Sequence, residues 1–531
     1  MPSTPNSGFI EPPIPTAEKL ALAGPDWDYT RLHGERPSSY DWTMSSANRL
    51  SSAHQLKMTL TGGKTALLAK SRGSRGVQLA KTASMSVFLL TASLMLSWVA
   101  LFNNAPLVFS DTVSYATAAF QREIPGLFSV FYSIFILPLH QGVTLWPVVF
   151  AQGAMLAHLL YVTTRCVSGG AIRRTEFLLI VAGLCVFSSL PWITGQILPD
   201  VFSPVLLLGM FVLAFCNDAL RRGEVLYIGA LTTAAIATHF SHVPIALGLI
   251  LLCIGLKPII APSPIRTRQW AALLLIPFVV AVCSMVAVNW LSSREIGLAR
   301  NSNVFLLAKW IDEGPALSYL TRACPSAGYA LCAHLEELKD RSHDELKWDE
   351  NSPLKKVGTF DELEPEARRI VRATLCAYPF EILQRAMFDV GRQLLRFQAG
   401  DGLSQKFAKM VAEHLGAIFG TEIEKSFIES RQGQGRLPIA EARQLHIVGL
   451  VFGVGFCLWS VMARRQAVPT KLVALYIFVF AGIVWNAVVT GTLSGPYDRY
   501  LARVIWLACF VGLVGFCYVS RVRQPNQDSA R

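Results

Sequence analysis

The feature that most constrains this chain is a series of apolar runs separated by short loops that alternate between rich and poor in Lys and Arg. A run of about 20 apolar residues is long enough to cross a bilayer, and in hydrocarbon it must satisfy its own backbone as a helix. The runs fall at 85–102, 145–164, 177–194, 201–215, 225–238, 243–256, 271–291, 445–462, 472–490 and 501–519. The chain has 531 residues, 52% hydrophobic and only 16% charged; soluble domains carry about 25% charged residues. The expected fold is therefore all-α: a polytopic membrane protein of about ten transmembrane helices, with a helical extracytoplasmic insert.

Charge distribution sets the expected orientation. Net charge is +12, but 292–441 holds 20 Lys+Arg against 22 Asp+Glu, so the positive excess lies elsewhere. Lys/Arg-bearing loops mark cytoplasmic faces. Arg165, Arg173 and Arg174, then Arg221 and Arg222, Lys257 with Arg266 and Arg268, Arg464 with Arg465, and Arg521 with Arg523 mark one face. Both termini fall on that side, as expected for a multi-pass protein of the inner (cytoplasmic) membrane. No basic stripe with interleaved aromatics points to nucleic acid.

Residues 1–84 are rich in Pro, Ser, Gly and Thr and read as a disordered cytoplasmic leader. It ends in a basic flank, Lys70, Arg72, Arg75 and Lys81, which suits the inner leaflet. The first apolar run begins only near Met85, so no cleavable signal is expected. The remaining regions are a core at 85–291, a periplasmic insert at 292–441, C-terminal spans at 442–519 and a cytoplasmic tail at 520–531. Within the insert, 364–397 has helical periodicity, with a break at Pro379.

The residues with chemistry lie in the outer loops. Asp111 follows the first run, in Phe109-Ser110-Asp111-Thr112-Val113-Ser114-Tyr115. A carboxylate at the membrane edge can act as general base on a hydroxyl; Ser110 or Asp111 can equally just cap the helix that follows. Asp200, after Pro199, lies in the next outer loop, again as an acid or a cap. Together the two can share a divalent cation or divide base and orienting roles. His239 and His242 are too few for zinc alone; they can bind phosphate, move a proton, or close a hairpin. Tyr497 and Arg499 stand in the last outer turn, where Asp498 can hold Arg499 to grip a phosphate. Such residues are also ordinary interface anchors. Arg122 is the one Lys/Arg residue of the 103–144 loop. Cys324 and Cys332 read as a disulfide in an oxidising compartment, leaving Cys376 buried. Arg368, Arg369 and Arg372 share a helix face, solvated or ligand-binding.

In layout, 85–256 resembles the GT-C class of membrane glycosyltransferases, which includes protein O-mannosyltransferases and the lipid A aminoarabinose transferase. The resemblance rests on Asp111 in the first outer loop, on two short helices expected at 112–121 and 128–137, and on Asp200 in the next loop. The paired acids usual in the first loop are here Asp111-Thr112, and the insert precedes the last three spans. The resemblance implies sugar transfer from a polyprenyl-phosphate donor to a lipid, glycan or protein acceptor. Asp111 would take the acceptor proton, Arg499 or Arg122 would stabilise the leaving phosphate, Tyr115, His239 and His242 would line the sugar site, and the two short helices would hold the lipid tail. The rival readings are a transporter or flippase of a glycan or lipid intermediate, and a polysaccharide polymerase or ligase.

Overall fold

A computed structural model of the chain describes residues 84–523, apart from 261–266, 295, 325 and 464–467. The expected leader and its basic flank, the pair Arg464 and Arg465, and the end of the tail lie outside the described residues. Among the described residues the fold is all-helical, 79% helix with no strands. Five helices are long and apolar enough to cross a membrane: α5 (Trp146–Val167), α11 (Thr267–Ser293), α20 (Ile439–Ala463), α21 (Thr470–Leu493) and α22 (Asp498–Arg523).

The other apolar runs also fold as helices, but shorter ones. They are α1 (Ser84–Leu96), continued after a break at Ser97 by α2 (Trp98–Asn103); α6 (Arg174–Phe187); α8 (Phe202–Phe215); α9 (Arg222–Ala237); and α10 (His242–Ile260). The run at 177–194 is not one helix. Ser188 is extended, and α7 (Leu190–Gly195) restarts with Pro191 in its first turn. Proline is pre-organised for a helix start but cannot donate to a continuing helix. The hairpin at the histidines closes as expected, except that His242 already belongs to α10.

The two short helices expected after Asp111 are α3 (Thr112–Gln121) and α4 (Val130–His140). Tyr132 and Ile136 of α4 are fully buried, so this helix packs into the bundle rather than merely resting on it. Arg122, in a left-handed conformation, stops α3.

Between α11 and α20 come α12 (Ser302–Asp312), α13 (Pro315–Ala323), α14 (His343–Trp348), α15 (Pro353–Val357), α16 (Phe360–Ala377), α17 (Pro379–Leu395), α18 (Gln405–Phe419) and α19 (Thr421–Glu429). This region does not stand as one separate body. Its first half has its own core, around Leu307, Ile311, Leu320, Leu363 and Ile370. Its final helices bury Val411, Leu415 and Phe427 in the main core instead. Cys324 and Cys332 form a disulfide, with Cα atoms 5.5 Å apart. Cys376 is exposed, contrary to the expectation that it is buried; it sits in the last turn of α16.

Close helix contact in the bundle depends on small residues. α20 carries Gly449 and Gly453, and a Cβ on Gly453 would lie 2.2 Å from the Ala508 carbonyl oxygen of α22. Spacing of four puts both glycines on one helix face, where their backbones can approach a neighbour.

Candidate functional site

One end of the bundle gathers the loops at 104–111, 196–201, 239–241 and 494–497. The first two are joined directly. Leu107 pairs with the 195–197 segment as an isolated parallel bridge: Leu107 N–H donates to Gly195 O at 2.9 Å and Ile197 N–H to Leu107 O at 3.0 Å. Thr112 Oγ1 adds a bond to Ile197 O at 3.1 Å. Buried Gln152 of α5 donates to Thr194 O and Gln196 O, and receives Tyr132 OH at 2.7 Å. From the far side Gln432 holds Val108 through both its N–H and its carbonyl. These bonds satisfy a loop backbone that would otherwise be buried without partners.

This stitching delivers the acids to α22. Asp111 does not cap α3: its side chain makes no cap bond and instead faces the guanidinium of Arg499, 3.3 Å away. Asp200, in a single 3-10 turn at Pro199–Val201, is likewise no cap and meets Arg503 at 3.0 Å. Arg499 and Arg503 are four residues apart on α22, so they share a face. The two pairs differ in access. Asp111 and Arg499 keep 20% and 18% of their side-chain surface, whereas Asp200 and Arg503 keep 7% and 0%. The first pair can reach a ligand; the second is framework.

Arg499 is further fixed from outside the bundle. Its guanidinium lies 4.5 Å from the Phe109 ring centroid and 5.1 Å from that of Tyr500. Its backbone N–H donates to Asp401. Asp498 does not hold it, contrary to expectation; that carboxylate accepts from Gln398 N–H at 2.8 Å. Arg503 also donates to Asn486 at 3.0 Å and reaches Ser241 Oγ at 3.4 Å, and its Nε has no partner.

Tyr115 packs against Phe128 at a tilt and against Tyr132 edge to face, with centroids 5.2 and 5.3 Å apart. Burial first, then the negative field of Asp111, pushes its phenol well above the ordinary value, so it keeps its proton. His239 bonds Ser241 Oγ at 2.8 Å. Burial and the two arginines hold its imidazole well below the ordinary value, so it is neutral and resists protonation. His242 is spent on structure: its ring nitrogens reach Ser203 Oγ at 2.8 Å and Ala235 O at 2.6 Å. Its expected place in a sugar site is therefore not met by a free ring nitrogen.

Two other expected site residues lie elsewhere. Arg122 is exposed and joins none of these bonds. Tyr497 turns toward the insert, where its hydroxyl lies 2.6 Å from both His343 Nε2 and Asp344 Oδ1. Arg368 and Arg369 lie on α16, held by Glu364 and the Tyr329 ring. Sequence reasoning gave no role to Asn486, Asp401 or Gln432, and took Arg503 only as an interface arginine about one turn into the last helix. Arg503 and Asn486 did carry a signal, as polar residues inside apolar runs; Asp401 and Gln432 sit in loops with none.

A narrow apolar crevice adjoins the network, lined by Ile124, Phe128, Phe131, Phe240, Met285 and Leu298. Phe128 touches Tyr115, and Phe240 follows His239, so two of its lining residues adjoin the network. A divalent cation fits poorly. Asp111 and Asp200 each face a guanidinium, and among the described residues no group of three or more His, Cys, Asp and Glu side chains is placed to hold a metal. The chain matches no family model, no curated protein and no solved structure.

Proposed function

We propose that this protein is a multi-pass membrane glycosyltransferase that moves a sugar from a polyprenyl-phosphate donor to a hydroxyl of a lipid, glycan or protein acceptor. On this reading all ten helical segments cross the inner membrane, the termini are cytoplasmic, and the site opens on the periplasmic face. The observation that carries it is the partly accessible Asp111–Arg499 pair at the loop end of the bundle. A base and a phosphate-binding cation are two needs of this chemistry, and Asp111 and Arg499 are of the right kind to supply them.

The acceptor hydroxyl gives its proton to Asp111 and its oxygen attacks the anomeric carbon. The bond from that carbon to the donor phosphate breaks with inversion, and polyprenyl phosphate leaves with the electron pair. Arg499, released from Asp111 as that carboxylate takes the proton, meets the phosphate charge through its planar fork. Asp200 is a positioning residue: through Arg503 it sets the face of α22 that presents Arg499. No step runs through a metal ion. A transporter needs charged groups at mid-depth; the buried Asp200–Arg503 pair lies near the loop end of α22 instead.

The test is transfer of labelled sugar from a polyprenyl-phosphate donor in membranes, with the lipid and glycan profile of a deletion strain complemented by each variant. Asp111→Asn should lower transfer by about 10²–10⁴-fold, the usual contribution of a general base. The proposal is lost if Asp111→Asn inserts normally and restores the wild-type profile.

A further inference from the structure

α17 is inside out for a helix of a water-soluble domain. Its buried residues are polar: Asp389 and Gln393 are 5% and 0% exposed. Asp389 accepts from Lys309 Nζ at 2.5 Å, and Gln393 exchanges two bonds with the Tyr497 backbone, at 2.8 and 3.1 Å. Its apolar residues point away from the protein. Phe380, Leu383, Met387, Phe388 and Leu395 are 84%, 57%, 68%, 61% and 78% exposed. At helical spacing these positions form one continuous stripe.

The location of α17 says what covers that stripe. The helix crosses the loop end of α21, so close that a Cβ on Gly491 would lie 3.1 Å from the Asp389 carbonyl oxygen. α21 is a candidate membrane span, and its exposed side chains Val484, Trp485 and Leu493 lie within two turns of that crossing. The stripe thus adjoins a surface that already faces lipid. Arg385 and Arg392, both exposed, flank it on the same helix. A second copy packed through the stripe would bring these arginines of both chains toward one another; headgroup phosphates would instead neutralise them.

We propose that α17 lies in the plane of the bilayer at its outer interface. Phe380, Leu383, Met387 and Leu395 enter the acyl chains, and Arg385 and Arg392 meet lipid phosphates. The polar face then serves as the seat for the turn that carries Arg499, so the insert is held at a set depth over the site. This depends on α21 spanning the membrane and on the orientation proposed above, not on the glycosyltransferase reading.

The test uses the full chain in vesicles of phosphatidylethanolamine and phosphatidylglycerol. A benzoyl-phenylalanine photo-crosslinker replaces Leu383 or Met387 and, as control, the exposed Arg368 of α16. Lipid adducts found by mass at 383 and 387, and none above background at 368, are the expected result. Cross-links to a second copy in place of lipid would overturn the proposal. So would the absence of lipid adducts at 383 and 387 in protein that elutes as the wild type does.

Discussion

Arg503 is fully buried and meets Asp200, Asn486 and Ser241. Its removal would strand a buried carboxylate, and breaking such a pair from one side costs about 3–5 kcal/mol. Arg503→Met should therefore lower the thermal unfolding temperature in detergent sharply. The double variant Asp200→Asn, Arg503→Met should recover some of the loss, because no unpaired charge remains. A second cluster carries a pH signature. Lys309 lies between Glu313 and Asp389. Burial first, then Asp389, pushes Glu313 up to about 7. Burial works against ionised Asp389 too, but hydrogen bonds from Glu313 and Lys309 outweigh it and hold it low. Folded Glu313 thus keeps its proton where the unfolded chain, with the ordinary value of 4.5, has released it. Its contribution is full below that value and is lost as pH rises through about 7. Unfolding temperature measured from about pH 5 to about pH 8 should show this decline, and Glu313→Gln should flatten it.

Elements were more legible than sites. Apolar runs announce helices because hydrocarbon leaves the backbone no alternative; all ten runs fall on helices, two of them broken, but only five of these helices are long and apolar enough to cross a membrane. The break at Ser188 was written in Pro191 but masked by unbroken hydrophobicity. Asp111 and Asp200 stood out as acids beside apolar runs, yet a cap and an ion pair look alike in sequence. What separates them is Arg499, 388 residues from Asp111, and Arg503, 303 from Asp200. Local patterning carries no trace of partners so distant. The inverted face of α17 was also hidden, since amphipathic spacing does not say which face turns outward. Packing between α20 and α22 yields a test at this scale. Gly453→Ala must push the two helix backbones away from each other and should cost about 1–3 kcal/mol, as overpacking does. Gly455, two residues on, has open space around it. Gly455→Ala should be neutral or slightly stabilising in the same unfolding assay.

For the molecule as a whole, orientation decides whether the site meets a donor on the outer face. Exposed Cys376 and the bonded pair Cys324 and Cys332 sit together in the 292–441 region. In a variant keeping only these three cysteines, a membrane-impermeant maleimide should label one site on intact spheroplasts and three after reduction. Labelling only after lysis would place the region in the cytosol and remove the proposed donor from reach.

The parallel bridge at Leu107 and the pairing of Asp111 with Arg499 have a consequence for biogenesis. The first acid leaves the ribosome long before its cation exists, and the second waits almost as long. Until the final helix inserts, the nascent protein displays two unmatched carboxylates at the membrane rim. A chain that stalls or is cut short before residue 499 should thus be degraded faster than the full-length protein, which pulse-chase of a truncation would show.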